Sequence, residues 1–255
     1  MKEGTRRSRA ANIASGTFFG FSIIASMGMV ALAVVFFFSR VEGPSMMSTL
    51  NAQFHTVPGG LNTDSVLVNR FATPERGDVI VTRFHNANGP NVASDGRRFT
   101  LYIKRVIGLE GEHIYFRRVR MPQQIGGHWY RYDIYINGER LDESEYLDPY
   151  WGQNLVYYNV WRQQQRIITG LLTPFLQMTD RGYEIFIPPG HIFYIGDNRG
   201  GSGPGPVSDD STRFGPQPME YIIGVVSDIA HDQSFFQYFW GVIWHAVSFR
   251  WLWGG

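Results

Sequence analysis

The sequence predicts a mainly β chain built from antiparallel sheets, with an inserted subdomain, behind one N-terminal transmembrane helix. Three observations lead there. Residues Thr17 to Phe38 read TFFGFSIIASMGMVALAVVFFF, inside a window from Arg9 to Arg40 with no charge between those two arginines. Beyond Arg40 the chain breaks into short runs of β-branched and aromatic residues punctuated by Gly, Pro, Asn and Asp. Residues 119–182 then interrupt that rhythm with a stretch rich in Gln, Tyr, Trp and Arg that shows no repeat.

At a rise of about 1.5 Å per residue, roughly 20 apolar residues cross a hydrocarbon core of about 30 Å. A cleaved signal peptide carries an apolar run of about 7–15 residues ending in a small-x-small site. Here the run is longer and ends FFFSRVEG, so a permanent anchor over 17–39 is the expectation, against a cleaved leader or a buried core helix. In the segment before it, 1–16, Lys2, Arg6, Arg7 and Arg9 outweigh Glu3. Lys/Arg excess marks the cytoplasmic side, which puts the amino end inside and everything after Arg40 outside.

The strand-like runs are Asp78–Phe84, Phe99–Ile107, His113–Phe116, Asp133–Ile136, Tyr183–Ile187, Ile192–Ile195 and Tyr221–Val226. Asn137-Gly138 after DIYI is a hairpin signal, because both residue types accept positive φ. No long helical period occurs between residues 41 and 160. The division that follows is a β core from 40–118 and 183–233, an insert at 119–182, and an aromatic tail at 234–255. That tail carries Trp at the density expected of a helix lying at a membrane interface, a buried terminal element being the alternative.

Composition narrows the function. The 255 residues hold 23 Lys+Arg against 22 Asp+Glu, so a chain-wide basic field for nucleic acid is excluded as a default. With 7 Trp, 13 Tyr and 19 Phe the chain is not intrinsically disordered. Cysteine is absent, which removes disulfides, thiolate nucleophiles, Cys-ligated zinc and iron–sulfur clusters. The seven histidines show no metal spacing such as HExxH, and neither a metal nor an organic cofactor is expected.

Two residues are candidates to carry chemistry, although a lone serine near Gly and Pro is ordinarily a turn residue. Ser45 lies in Gly43-Pro44-Ser45-Met46-Met47-Ser48-Thr49-Leu50, a few residues beyond the anchor. A hydroxyl nucleophile needs a base for its proton and donors for the developing oxyanion. A Ser-His-Asp arrangement is open on spacing alone, since such groups assemble in space. Lys104 is the better base: it sits inside an apolar strand between Leu101, Tyr102 and Ile103 on one side and Val106 and Ile107 on the other. A free lysine has a pKa of about 10.4, leaving roughly one molecule in 2,500 neutral at pH 7. Desolvation disfavours the ammonium and can lower that value by several units. The bland alternative is a strand lysine whose amine reaches solvent.

Four segments together resemble the motif boxes of type I signal peptidases, the membrane-bound Ser-Lys proteases. They are GPSMMSTL, Arg76-Gly77-Asp78-Val79-Ile80-Val81, Tyr102-Ile103-Lys104-Arg105-Val106-Ile107-Gly108, and Ile187 to Arg199 (IPPGHIFYIGDNR) continued by a Ser-x-Asp-Ser element, all in the family's order behind one anchor. The resemblance implies a signal-peptidase β domain with Ser45 as nucleophile and Lys104 as general base. It implies Met46, Leu50, Tyr102 and Ile103 around the substrate cleft, and Ser208, Asp210 and Arg213 as a supporting shell. The implied partners are preprotein signal peptides, the lipid bilayer and the secretion translocon, with no nucleic acid. The compartment is a plasma membrane or, alternatively, the mitochondrial inner membrane.

Three departures stand out. Ser48 occupies a position usually held by Pro. Gly43 stands where some relatives carry a hydroxyl donor, which leaves the oxyanion hole to the Ser45 N–H and a neighbouring backbone group. The stretch Gly201 to Val207 makes the lysine's supporting serine ambiguous between Ser202 and Ser208, with Ser208 keeping the following Asp pattern; Thr212 displaces Arg213 by one place. The rival readings are a soluble SOS-repressor type of Ser-Lys autoprotease and an inactive paralogue or membrane-anchored peptide-binding β domain.

Overall fold

The computed structural model describes residues 2–41, 43, 45–47, 49–50, 64–83, 85–86, 89–90, 101–125, 128–147, 173–198, 210–231 and 237. It divides into two units, 1–37 and 38–255.

The first unit is α1 (Lys2–Val35), whose segment Thr17–Val35 is long and apolar enough to cross a membrane. The apolar span begins at Thr17 as expected, within a longer helix, and ends earlier than expected. The helix itself begins at Lys2, because Lys, Arg and Ala in the polar stretch are good helix formers. It stops at Val35, and Phe36–Arg40 is strand β1: three consecutive phenylalanines favour extended backbone over another helical turn.

The second unit is mainly β. Its strands are β2 (Ser65–Asn69), β3 (Val79–Arg83), β4 (His85–Asn86), β5 (Gly89–Pro90), β6 (Leu101–Gly108), β7 (His113–Ile125), β8 (His128–Ile136), β9 (Glu139–Arg140), β10 (Leu176–Thr179), β11 (Gly182–Phe186), β12 (His191–Ile195), β13 (Gln217–Pro218) and β14 (Ile222–Ala230). A seven-stranded sheet runs β1-β2-β14-β3-β6-β12-β13 and a five-stranded sheet runs β10-β11-β7-β8-β9, while β4 and β5 pair alone. The β3–β6, β6–β12 and β3–β14 ladders are antiparallel. The Asn137-Gly138 hairpin forms as expected, with φ of 51° and 88° and Ile136 opposite Glu139.

One core joins the sheets. Ile107, Phe193 and Ile195 of the larger sheet pack with Ile114, Phe116, Ile134, Ile136 and Ile185 of the smaller one. The other face of the larger sheet carries a second cluster, Ile80, Val106, Ile192, Tyr194 and Val225. Every other residue of β6 therefore faces a different core, and Lys104, two places from Val106, shares the second face.

The expected boundary after residue 118 is absent: β7 continues to Ile125, paired along β8, so the first part of the stretch read as an insert is an extended arm of the smaller sheet. The polar, arginine-rich composition of that arm hid its period. Residues 148–172 of that stretch, and all of the aromatic tail except Gln237, lie outside the described residues.

Gly224 marks a close approach between strands. A methyl added there would overlap the Asn69 carbonyl oxygen of β2. Gly224→Ala is expected to lower the stability of the detergent-solubilised chain by about 1–3 kcal/mol, read as a drop in the thermal midpoint.

Candidate active site

The short segment that begins at Ser45 is held by its apolar residues. Met46 and Leu50 are buried to 1% and 0% exposure. The Thr49 and Leu50 N–H groups both donate to the Met46 carbonyl, at 3.1 and 2.8 Å, closing one tight turn. Ser45 itself is half-buried. Just before it, Gly43 has φ of 90°, a left-handed conformation that favours glycine.

The turn after β12 receives this segment. The Asn198 N–H donates to the Ser45 carbonyl at 3.0 Å, and the Asp197 N–H points to the Met46 sulfur at 3.4 Å. The Thr49 hydroxyl donates to Asp197 Oδ2 at 2.5 Å. Asp197 is fully buried and pairs with Arg105: Nε lies 2.9 Å from Oδ1, and an Nη lies 2.7 Å from Oδ2. Such a bidentate charged pair combines strength with fixed geometry. The other guanidinium nitrogen donates to the Gly77 carbonyl at 2.6 Å, and the guanidinium stacks 4.0 Å above the Tyr146 ring. The Gly77 N–H donates to the Val106 carbonyl at 2.9 Å and the Val106 N–H donates to the Asp78 carbonyl at 2.8 Å, which seats the Arg76-Gly77-Asp78 turn on β6.

One buried ion pair thus ties together all four sequence segments that carry the resemblance. Ser45 and Lys104 are each fixed to the same turn, Ser45 through its own carbonyl and Lys104 through its neighbour Arg105.

Lys104 is buried to 1% exposure, opposite Ile80 on β3. Its Nζ lies 5.8 Å from the centre of the Tyr102 ring. Its surroundings on that face are the apolar second cluster, so the amine does not reach solvent as an ordinary strand lysine would. Tyr102 and Ile103 are half-buried beside it on β6.

Asp210 is buried and caps α2 (Ser211–Phe214). Its Oδ1 accepts from the Thr212 N–H at 3.0 Å and from the Thr212 hydroxyl at 2.5 Å. Its Oδ2 faces the Gly196 N–H at 3.4 Å, which braces the loop against the end of β12. The residue expected to displace Arg213 thus supplies contacts to Asp210. Arg213 belongs to α2, but its side chain lies outside the described residues, as do Ser202 and Ser208.

Sequence reasoning passed over four participants. Thr49 bonds Asp197, Tyr146 stacks on Arg105, Thr212 bonds Asp210, and the Ser211 hydroxyl accepts the Tyr194 N–H at 3.0 Å. Thr49 and Ser211 stand inside the motif segments and were legible as the polar members among apolar neighbours. Tyr146 lies in the stretch read as an insert and carries no local signal.

Among the described residues no cluster of His, Asp or Glu is placed to hold a metal ion.

Comparison with known proteins agrees with this layout. The family model described as Signal peptidase, peptidase S26, matches residues 15–230. A protein named Signal peptidase I from Bacillus caldolyticus is 33% identical over 201 residues, 78% of this chain and 82% of that protein. Proteins of the same name from Pseudomonas aeruginosa and Rickettsia typhi are 27% and 28% identical over 65% and 59% of this chain. The matched segments span 54% and 50% of those two proteins. The match runs through the Ser45 segment, the Lys104 strand, the Asp197 turn and Asp210: the chain belongs to the signal peptidases, peptidase family S26.

Proposed function

We propose that the protein is a membrane-anchored serine endopeptidase that removes signal peptides from exported preproteins, with Ser45 as nucleophile and Lys104 as general base. The observation that carries this reading is the convergence of four separated segments on the Arg105–Asp197 pair, with an amine buried on the adjacent residue. Burial in an apolar face disfavours the ammonium and so favours the free amine, the form able to take a proton.

In the first half-reaction the Ser45 oxygen bonds to the carbonyl carbon at the cleavage site while its proton passes to the Lys104 amine. The Ser45 N–H and a neighbouring backbone group hold the oxyanion of the tetrahedral intermediate; Gly43 lends no side-chain donor. The C–N bond then breaks, and the Lys104 ammonium returns the proton to the departing amine. In the second half-reaction the neutral lysine takes a proton from water, whose oxygen attacks the ester carbonyl; as the C–O bond breaks, the ammonium returns that proton to the Ser45 oxygen.

The substrate segment lies extended against a strand edge, so alternate side chains enter the cleft by Met46, Leu50, Tyr102 and Ile103. Shallow pockets there select small residues at the first and third positions before the cut. Ser208 orients the lysine amine, and Asp210 with Arg213 supports the loop. The apolar helix anchors the chain with its amino end in the cytoplasm, leaving the β domain outside the plasma membrane, where signal peptides arrive from the secretion translocon.

The test is processing of a preprotein by the full chain in detergent. Alanine at the residue before the cut should be cleaved efficiently, and a bulky side chain there should lower kcat/KM by about 10²-fold or more. Equal cleavage of both substrates would contradict the small-pocket reading.

A further inference from the structure

The cation of the buried pair has a contact that the mechanism above does not use. Arg105 stands two places from Ile107, on the face of β6 turned to the smaller sheet. Around its rim the guanidinium gives hydrogen bonds to three separate segments: to Asp197, to the Gly77 carbonyl, and to the Thr49 hydroxyl at 3.3 Å. A guanidinium donates only in its own plane, so its faces are left to stacking. Tyr146 takes one of them, with the guanidinium carbon 4.0 Å from its ring centre.

The segment after β9 holds that ring in place. The Leu141 N–H donates to the Ile134 carbonyl at 2.8 Å, and the Leu141 side chain packs on the core between the sheets. Leu147 is buried; its N–H and that of Tyr146 both donate to the Glu143 carbonyl, at 2.9 and 3.3 Å, which closes one turn. The Tyr146 hydroxyl donates to Glu143 Oε1 at 3.0 Å, so the ring is fixed at its far end as well. Beneath it lies a pair whose side chains are 9% and 0% exposed. Taking the ring away opens the guanidinium to water, which competes for the Asp197 carboxylate and lets dissolved salt screen the pair.

We infer that Tyr146 is a positioning residue for the reaction: its ring covers the Arg105–Asp197 pair and holds that pair, and with it the turn that seats Ser45, in one arrangement. This rests on the Ser45–Lys104 reading. Asn198, the neighbour of Asp197, is the residue whose N–H holds the Ser45 carbonyl, so a pair that shifts carries the nucleophile with it. Small displacements of a reacting group cost rate far more than they cost binding. The loop after β9, which belongs to the smaller sheet, thereby supports a site built on the larger one.

The experiment compares wild type, Tyr146→Phe, Tyr146→Leu and Tyr146→Ala as full chains in detergent, cleaving one preprotein at low and at high salt, below the thermal midpoint of each variant. Every rate is taken relative to wild type at the same salt. Tyr146→Phe keeps the ring face and should stay within about twofold of wild type in kcat throughout. Tyr146→Ala should lose about tenfold in kcat at low salt and about threefold more at high salt, while KM stays within about twofold. Tyr146→Leu keeps apolar bulk for folding but no ring face, and should show the same salt-dependent loss to a smaller degree. A tyrosine that only steadied the fold would lower the thermal midpoint on removal without making kcat depend on salt. Wild-type kcat in Tyr146→Leu and Tyr146→Ala, or a loss that salt does not deepen, would overturn the inference. So would a Tyr146→Phe as slow as Tyr146→Ala, because the hydroxyl's bond to Glu143 would then carry the effect. Ser45→Ala, run beside them, separates the two levels: cleavage persisting in that variant removes the Ser45–Lys104 reading, whereas its inactivity together with unaltered kinetics in Tyr146→Leu and Tyr146→Ala removes only the tyrosine's role.

Discussion

Lys104→Ala is expected to lower the rate of preprotein cleavage by about 10³-fold or more, and Ser45→Ala to do the same. In the proposed mechanism the two residues act on one proton, so the double variant should be scarcely slower than either single one. The loss should appear in kcat, because neither side chain is needed to seat the substrate strand. Lys104→Arg is expected to be as inactive as alanine: a guanidinium keeps its proton at any accessible pH and cannot act as the base. Lys104→Met serves as the folding control. Position 104 is buried to 1% exposure against Ile80, and a flexible apolar chain of similar length should keep the thermal midpoint while abolishing activity. Cleavage at more than a tenth of the wild-type rate in Lys104→Met would show that the proton goes elsewhere.

Asp197→Ala should be the most damaging single change to the fold of the site. It leaves the Arg105 guanidinium, whose side chain is 9% exposed, without its carboxylate partner. Breaking a buried ion pair from one side typically costs about 3–5 kcal/mol, because the surviving charge stays desolvated. The same change frees the Thr49 hydroxyl and loosens the segment that holds Ser45, so activity should fall together with stability. Replacing both partners by apolar residues, Arg105→Met with Asp197→Leu, should cost much less stability than the single change predicts. It should still lose activity, because Thr49 keeps no anchor on the turn. Thermal unfolding and cleavage of the same detergent-solubilised samples measure both effects. Added salt should alter them little, since the pair is shielded from the screening that weakens surface pairs.

Much of this architecture could be read from residue order. The apolar run over Thr17–Val35 announces itself by length and lack of charge, and β3, β6, β11, β12 and β14 announce themselves by β-branched and aromatic clusters. Asn137-Gly138 states its own turn. The extended arm of β7 and β8 was missed because its solvent-facing arginines break the alternation that marks a strand with one buried face. The helix end was misplaced because three phenylalanines satisfy the apolar count of a membrane span and the backbone preference of a strand equally well.

The site was legible in its chemistry and less so in its scaffold. A serine two places after a glycine and a lysine in an apolar strand are local facts of the sequence. The Arg105–Asp197 bond spans 92 positions, Thr49 reaches Asp197 across 148, and Tyr146 stacks on Arg105 from a stretch with no signal of its own. Contacts of that kind are fixed by sheet order and register, which no single segment encodes. The Asp210 cap shows the same limit at short range. Its carboxylate accepts from a threonine two places later, through both that residue's N–H and its hydroxyl, a contact that the residue order does not announce.

The most direct measurement is the mass of the protein after brief exposure to a serine-directed acylating peptide near neutral pH, followed by mapping of the modified residue. One acyl group on Ser45 in the wild type, lost in Lys104→Met while that variant remains folded, is the expected result. An acyl group on a different residue, or on Ser45 at an unchanged rate when position 104 has no amine, would contradict the assignment of that lysine as the base.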